Sequence, residues 1–276
     1  MKAAKFDYVH VRSVSEALNQ IQGADAGIKL MAGSQSLGPM LNLRLARPAK
    51  VVDISGVDEL RTVTEAGGML RIGAAVTHAE IEDGVFGLLG GHMMQEVASR
   101  IAYRAIRNRG TIGGSLAHAD PAADWVLATT ALGAEIEIAS PGGTRRVPMP
   151  GFMHGAYTTE VGADELIAAV HIPKHHAQVR WGYYKFCRKT GEFADASCSA
   201  YFDPLTQTAR IVVGALDGAP QLLTELSGRV AEYGLQAADQ DSIHAAIQAI
   251  TPDKTAADRK LYVTVVERCL NQALGQ

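Results

Sequence analysis

Two short segments rich in glycine and hydroxyl side chains are the best candidates for binding a phosphate group. They read Ala32-Gly33-Ser34-Gln35-Ser36 and Thr111-Ile112-Gly113-Gly114-Ser115, and each follows an apolar stretch. Glycine lets a pyrophosphate approach the backbone closely, and serine and threonine add donors without bulk. If a helix begins after each segment, its free N–H groups add positive potential. Neither segment has the spacing G-x-G-x-x-G or G-x-x-x-x-G-K-[ST], which excludes the Rossmann and P-loop motifs. Taken alone, each segment is more often a structural turn, so the residues indicate a candidate nucleotide site and no more.

Other reactive side chains form no recognisable catalytic or metal-binding group. Ser36 and Ser115 have no histidine or aspartate partner in a known motif, so nucleophilic catalysis has little support. His118, beside the second segment, is expected to make a structural hydrogen bond. The adjacent His175-His176 pair has no third ligand nearby, and neighbouring side chains rarely chelate one ion together. We therefore expect neither a catalytic residue nor a metal ion on this chain.

Composition limits the class of protein. The chain has 276 residues, of which 47% are hydrophobic and 20% charged, with a formal net charge of −3. That length accommodates two or three modest cores, and the slight acidity argues against a nucleic acid partner. Cys187, Cys198 and Cys269 are widely spaced and odd in number, which favours buried thiols over disulfides or an iron–sulfur cluster. The first residues lack the apolar core of a secretion signal and no apolar run has membrane length, so we expect a cytoplasmic protein that does not span a membrane.

A basic run interrupts this even distribution of charge. It consists of Arg100, Arg104, Arg107 and Arg109. Arg107 and Arg109 could attract cofactor phosphates or dock a partner. A solvated face is the favoured interpretation, because charge runs most often lie at the surface.

The elements that must position the first segment form a small α/β unit. Ser13 and Glu16 have capping-box spacing before a helical pattern. Strands are expected at 28–32 and 51–54, with a helix at 37–45 between them. This order of strand, glycine turn, helix and strand predicts a unit that ends near residue 55.

The second segment belongs to a mixed region over residues 56–176. A hairpin is expected at 60–64 and 69–72 around Gly67-Gly68, and Thr77 and Glu80 form a second capping box. Helical sequence runs through 93–106 and breaks at Gly110, and residues 111–116 are too glycine-rich for a good helix. Asp120-Pro121 predicts a new helix capped by Asp120. Strands follow at 134–139, 145–147 and 166–172.

A polar linker at 174–177 predicts a separate unit over residues 177–276. Segments 182–186, 197–202 and 209–213 indicate an antiparallel meander, and 239–274 is helical with an interruption at Thr251-Pro252. The predicted fold class is therefore α+β, with units at 1–55, 56–176 and 177–276.

Three segments together resemble a known family. The first runs from Ala32 through Pro39-Met40 to Arg47-Pro48, the second from Arg107-Asn108-Arg109-Gly110 through Asp120-Pro121 to Asp124, and the third comprises Tyr184-Lys185-Phe186 and Arg188 to Ala194. In residues, order and separation they resemble the medium, FAD-binding subunits of carbon monoxide dehydrogenase and related xanthine-dehydrogenase-type enzymes. The resemblance spans nearly the whole chain.

The resemblance implies a PCMH-type FAD-binding fold, a small α/β subdomain plus a mixed α+β subdomain, followed by a C-terminal α+β domain. FAD would lie extended between the first two units. The positions that correspond to family contacts with FAD are Leu30, Met31, Ala32, Gly33, Ser34, Gln35, Ser36, Leu37, Ile101 or Ala102, Thr111, Ile112, Gly113, Gly114, Ser115, Asp120, Asp124, Leu166, Lys185 and Phe193. Lys185 would donate near the flavin ring, and Phe193 would lie against it.

Several of these positions have structural alternatives. Asp124 could simply favour the first turn of its helix, and Lys185 could be a solvent-exposed cross-strand charge. Phe193 could be a core or interface aromatic. Ser34 departs from the family pattern, which usually has glycine there. If that position requires positive φ, serine costs roughly 1 kcal/mol relative to glycine.

The resemblance implies an electron-transfer role without substrate chemistry on this chain. A large partner subunit would hold the molybdopterin-type Mo cofactor, and a small one would hold two [2Fe–2S] clusters, in a heterohexameric dimer of heterotrimers. One alternative is a self-sufficient flavin oxidoreductase, although the last hundred or so residues look too small for a substrate domain. The other is a redox-silent assembly module with the same fold.

Overall fold

A computed structural model describes residues 2–23 and 27–275. The amino-terminal part folds around three parallel strands, β1 (Asp7–His10), β2 (Ile28–Met31) and β3 (Lys50–Asp53), in the order β1-β3-β2. Helices α1 (Val14–Ile21) and α2 (Leu37–Asn42) connect them. The strands and helices expected between residues 13 and 54 are therefore confirmed, and β1 is an additional strand that the sequence did not indicate.

The middle part is built on a five-stranded antiparallel sheet with the strand order β4-β5-β10-β6-β7. The strands are β4 (Val63–Ala66), β5 (Met69–Gly73), β6 (Glu135–Ser140), β7 (Gly143–Pro148) and β10 (Leu166–Pro173). The expected hairpin is confirmed, because Gly67 and Gly68 take φ of +60° and +76° in a tight turn that requires positive φ. A two-stranded ribbon, β8 (Met153–Gly155) and β9 (Thr158–Thr159), lies outside this sheet.

Five short helices follow β5 in the middle part. They are α3 (His78–Glu82), α4 (Met93–Ser99), α5 (Arg104–Arg107), α6 (Ile112–His118) and α7 (Asp124–Leu132). The Thr77–Glu80 capping box is present at the start of α3. The continuous helix expected over 93–106 is wrong, since Ala102 turns the chain with φ of +40° between α4 and α5.

Two further helix expectations in this region are wrong. Residues 112–118 form α6 despite their glycines. Gly113 packs so closely against Ala74 that a Cβ on it would lie only 2.4 Å from the Ala74 Cβ. Close packing therefore offsets the roughly 1 kcal/mol that glycine costs inside a helix. Helix α7 begins at Asp124 after an Ala123 cap, whereas Asp120 closes a turn by accepting from the Ala122 N–H at 2.9 Å.

The carboxy-terminal part has the expected antiparallel meander. Its strands are β11 (Arg180–Phe186), β12 (Ala196–Asp203), β13 (Thr208–Gly214) and β14 (Gln221–Leu222), in sequence order. Helices α8 (Thr224–Tyr233), α9 (Gln240–Ile250) and α10 (Ala256–Leu274) follow, with the expected break at Thr251-Pro252. Helix α8 is an element that the sequence did not indicate.

The hydrophobic clusters join these three parts. Tyr183 and Val212 of the last sheet are buried in the cluster that the middle sheet forms with α4, α6 and α7. Leu166 and Ala168 of β10 are buried with the amino-terminal sheet. The last sheet packs against α4 and α7, and the three parts therefore share buried side chains, which holds loops from different parts at fixed positions. Within the described ranges, no helix is long and apolar enough to cross a membrane.

Candidate functional site

The two glycine-containing segments meet backbone to backbone. Gly33 follows β2 and is buried, and a Cβ placed on it would lie 1.9 Å from the carbonyl oxygen of Arg109 and 2.8 Å from the Cα of Gly110. A Cβ on Gly114 would lie 3.9 Å from the Cβ of Ala32. Segments far apart in sequence thus converge at one place, and the absence of a side chain at Gly33 is what permits the contact.

The first segment presents unpaired backbone donors. Ser34 takes φ of +61°, and its carbonyl accepts from the Gly38 N–H at 3.0 Å. The N–H groups of Ser34, Gln35 and Ser36 donate to no group in the part of the chain that the structure describes. Successive free N–H groups around a residue of positive φ form a concavity that suits an anion.

Ser34 adopts the positive φ at which serine is less favourable than glycine. Its hydroxyl oxygen would lie 2.9 Å from a Cβ placed on Gly38, so glycine at position 38 leaves room for this side chain. The Gln35 amide donates to the Gly33 carbonyl at 3.0 Å and braces the turn. The loop therefore keeps its shape with serine, at a cost of about 1 kcal/mol.

The backbone N–H groups at the start of α6 are paired, whereas the sequence led us to expect free donors there. The N–H groups of Ile112 and Gly113 donate to backbone carbonyls before α3, at 3.1 and 2.9 Å. The N–H of Gly114 donates to the Thr111 hydroxyl at 3.1 Å. Since these donors are used, the expectation is wrong for α6. Ile112 and Gly113 face the core, and Gly114 is exposed, so this segment offers close approach to its backbone surface.

A buried histidine contacts Gly110, the residue that precedes the second segment. The backbone N–H of His78 donates to the Gly110 carbonyl at 2.9 Å, and the indole N–H of Trp125 donates to His78 Nδ1 at 3.0 Å. Burial, with a smaller contribution from Arg107, lowers the pKa of His78 to about 3. The backbone N–H of this residue therefore holds the turn at Gly110, and its neutral imidazole accepts from Trp125. Sequence reasoning missed this residue, although it follows the capping residue Thr77 directly.

The third segment lies against the region of Ile101 and Ala102. A Cβ on Gly191, which has φ of +92°, would lie 2.5 Å from the ring of Tyr103. Tyr103 is 54% exposed and Phe193 62% exposed. The core interpretation of Phe193 is therefore wrong, and the side chain is free for a ligand or a partner protein.

The side chain of Arg107 was expected to be solvated, but it is largely buried and has a structural role. Its guanidinium donates to the Ile101 carbonyl at 2.9 Å and pairs with Glu82 at 2.7 Å, and the side chain is 12% exposed. The same carboxylate binds Arg104 at 2.9 Å. Arg107 thereby fixes the turn that carries Ile101 and Ala102.

A buried polar cluster links α7 to the last sheet. Lys185 Nζ lies 2.7 Å from Asp124 Oδ1, and the two side chains are 9% and 8% exposed. The Tyr183 hydroxyl donates to the same carboxylate oxygen, and burial followed by the Asp124 charge raises the pKa of Tyr183 well above its ordinary value. The exposed cross-strand interpretation of Lys185 is therefore wrong, whereas Asp124 does lie in the first turn of its helix. Tyr183 could have been found from the alternation of β11, which places it on the same face as Lys185.

The remaining candidate positions are more dispersed. Asp120 Oδ2 accepts from the Tyr157 hydroxyl at 3.0 Å, and this hydrogen bond raises the pKa of Tyr157. Leu166 is 2% exposed in the core between the first two sheets. Leu30 and Met31 are half-buried in β2, and Leu37 begins α2. Among the described residues, no group of three or more histidine, cysteine, aspartate or glutamate side chains could hold a metal ion.

Comparisons with known proteins agree with this geometry. A family described as the FAD binding domain in molybdopterin dehydrogenase matches residues 4–175. The carbon monoxide dehydrogenase medium chain of Hydrogenophaga pseudoflava is 32% identical over 98% of this chain and 97% of its own length. The nicotine 6-hydroxylase medium subunit of Paenarthrobacter nicotinovorans is 36% identical over 80% of this chain and 78% of its own.

Solved structures show the same likeness over the whole chain. A carbon monoxide dehydrogenase from Hydrogenophaga pseudoflava that lacks the Mo-pyranopterin moiety of its cofactor has a TM-score of 0.90 and 28% identity, covering 99% of this chain and 98% of that one. Quinoline 2-oxidoreductase from Pseudomonas putida 86 has a TM-score of 0.87 and 28% identity, with the same coverage. The likeness thus extends beyond residue 175 into the last sheet and its helices.

Proposed function

Because the chain belongs to the family of FAD-binding medium subunits of molybdenum hydroxylases, we propose that it relays electrons between two partners. It has the PCMH-type FAD fold and is a subunit of an oxidoreductase. Electrons would arrive from two [2Fe–2S] clusters on a small subunit, pass through FAD on this chain, and leave to a terminal acceptor. A large subunit would hold the Mo cofactor and oxidise the substrate.

The convergence of the two loops is the observation that carries this proposal. One loop supplies three unpaired N–H groups in a concave turn, and the other supplies an exposed glycine backbone beside it. This arrangement fits a pyrophosphate, which needs several donors and close approach of the backbone. Bound FAD supplies the redox chemistry, and the protein supplies placement and charge.

Within this proposal, six of the candidate residues have a stated task. The N–H groups of Ser34, Gln35 and Ser36 hold the diphosphate, and Gly114 lets it lie against the second loop. Lys185 uses one of its three N–H donors on Asp124 and keeps two for the ligand. Phe193 and the neighbouring Tyr103 exclude water from one face of the ring.

The division into units is proposed on similar grounds. The family match ends at residue 175, which supports a boundary near residue 176. Units 1–55 and 56–176 would bind FAD between them, and unit 177–276 would add Lys185 and Phe193. We also propose a cytoplasmic heterohexamer, a dimer of heterotrimers.

Cofactor and metal analysis of the purified complex and of the isolated chain tests the division of labour. We expect one FAD on this chain, with absorbance near 450 nm, and Mo and Fe on companion subunits alone. Mo or Fe bound by the isolated chain would contradict the proposal. A colourless chain after incubation with FAD would favour an assembly module, and substrate turnover by the chain alone would favour a self-sufficient oxidoreductase. Sedimentation of the complex measures its stoichiometry.

A further inference from the structure

An open cavity of about 730 Å³ lies beside the residues that lead into β1 and the segment that leads toward β3. Its charged lining residues are Lys2, Lys5, Arg44 and Arg47. None of the described residues that line it is acidic. Four cations thus meet in one place on a chain whose formal net charge is −3.

These cations have no ion-pair partner among the described residues. Many other arginines of the protein do, as Arg71 does with Glu137 at 2.8 Å. The Nε atoms of Arg44 and Arg47 donate to the backbone carbonyls of Lys2 and Arg44, each at 3.0 Å. Those bonds hold both guanidinium groups in place and leave their terminal nitrogens available to an anion.

The cavity is separate from the cofactor site. In the register of the sheet, Asp7 lies beside Lys50 at one end, and His10 lies beside Asp53 at the other. The first loop follows the second of these ends, where Met31 lies beside Asp53. At 3.3 Å per residue, the two ends are about 10 Å apart, and none of residues 32–36 lines the cavity.

The surroundings favour a protein over a small anion. Leu43 and Leu45, in the same segment as the arginines, are 50% and 73% exposed. Exposed leucine beside arginine is typical of a protein interface, and a free oxyanion would gain nothing from it. Strand β1, which continues from the cavity lining, is an edge strand of its sheet and offers unpaired backbone groups.

We propose that residues 2–6 and 43–47 form a docking surface for an acidic segment of a partner subunit. The segment carries aspartate or glutamate side chains for the four cations and apolar side chains for Leu43 and Leu45. This inference rests on the proposed membership of a multi-subunit complex. It adds the place where one partner binds and the charge that the partner carries there.

Charge reversal in the purified complex tests the surface. The variant Lys5→Glu/Arg47→Glu is expressed in the native host with a tag on this chain. The matched control Arg229→Glu/Lys260→Glu makes the same change in charge on exposed residues of the last helices. Retention of the Mo- and Fe-containing subunits is measured by gel filtration at low and at physiological salt, together with flavin content and thermal melting of the chain.

We expect the first variant to keep its flavin and melting temperature and to hold one partner about tenfold more weakly, with a reduced dependence on salt. The control retains all partners. Undiminished retention by the first variant would overturn the docking surface while leaving the proposed function intact. A wild-type chain that purifies as a dimer, split by the same reversal, would assign the surface to a second copy and also overturn it. A wild-type chain with flavin but no Mo or Fe subunit refutes the complex itself, and the docking surface with it.

Discussion

Replacement of Gly33 by alanine tests whether the two loops meet as described. The new Cβ would lie 1.9 Å from the Arg109 carbonyl oxygen and 2.6 Å from its carbon, whereas real contacts of this kind are not shorter than 3.0 Å. Both partners are backbone, so no side-chain rotation relieves the overlap. The loops must therefore part by more than about 1 Å in a close-packed region.

The size of the effect follows from that displacement. Overpacking of this kind costs about 1–3 kcal/mol. If the bound state alone bears the cost, FAD affinity falls about 5- to 150-fold. If the free chain bears part of it, its melting temperature also falls. The rise in melting temperature that FAD produces separates the two contributions, because it reports binding to the folded state.

The assay titrates FAD into apo-protein of wild type, Gly33→Ala and Gly151→Ala, by flavin fluorescence and by thermal melting. Gly151 is an exposed glycine with no positive φ and no atom within 4 Å of an added Cβ, so its variant should bind FAD as wild type does. Wild-type affinity and wild-type melting in Gly33→Ala would refute the convergence of the loops. Equal losses in both variants would show that the effect is not specific to Gly33.

Three further predictions concern stability. Ser34→Gly relieves the positive φ and should raise the free energy of unfolding by at most about 1 kcal/mol while retaining FAD, as measured by urea unfolding and flavin titration; a clear loss of stability would contradict this. Tyr183→Phe removes one of the donors to buried Asp124 and should lower the free energy of unfolding by about 1–3 kcal/mol, so an unchanged urea midpoint would argue against the hydrogen bond. His78 has a folded-state pKa of about 3, below its unfolded value near 6.5, so the unfolded state takes up the proton first as pH falls. Stability should therefore decline below about pH 6.5 with a contribution of up to about 1.4 kcal/mol per pH unit from this residue, and His78→Gln should flatten the urea midpoint measured against pH.

Local sequence signals predicted the elements that depend on near neighbours. The Thr77–Glu80 capping box, the turn at Gly67-Gly68 and the break at Thr251-Pro252 each involve residues within a few positions of one another. The alternating pattern of the last sheet also gave its strands in the correct order. In these places the local preference of the chain and the final structure agree.

Where local preference and tertiary packing disagreed, packing decided. Helix α6 forms because Gly113 lies against Ala74, a contact that propensity does not contain. The helix expected over 93–106 breaks at Ala102, where the Arg107 guanidinium binds the backbone carbonyl. Arg107, whose side chain was expected in solvent, thus stabilises a turn. The sequence could not show this, because its partner Glu82 lies in another helix.

The sequence by itself determined the fold class, most of the strands, and the two loops whose residue types suit a dinucleotide. Only the tertiary structure decided that Gly33 and Arg109 touch, that Lys185 is buried against Asp124, and which loop has free N–H groups. The physical reason is the separation in sequence between the residues that interact. Periodicity, capping and turn chemistry act over a few residues, whereas these contacts join segments that meet only after the three parts of the chain have packed together.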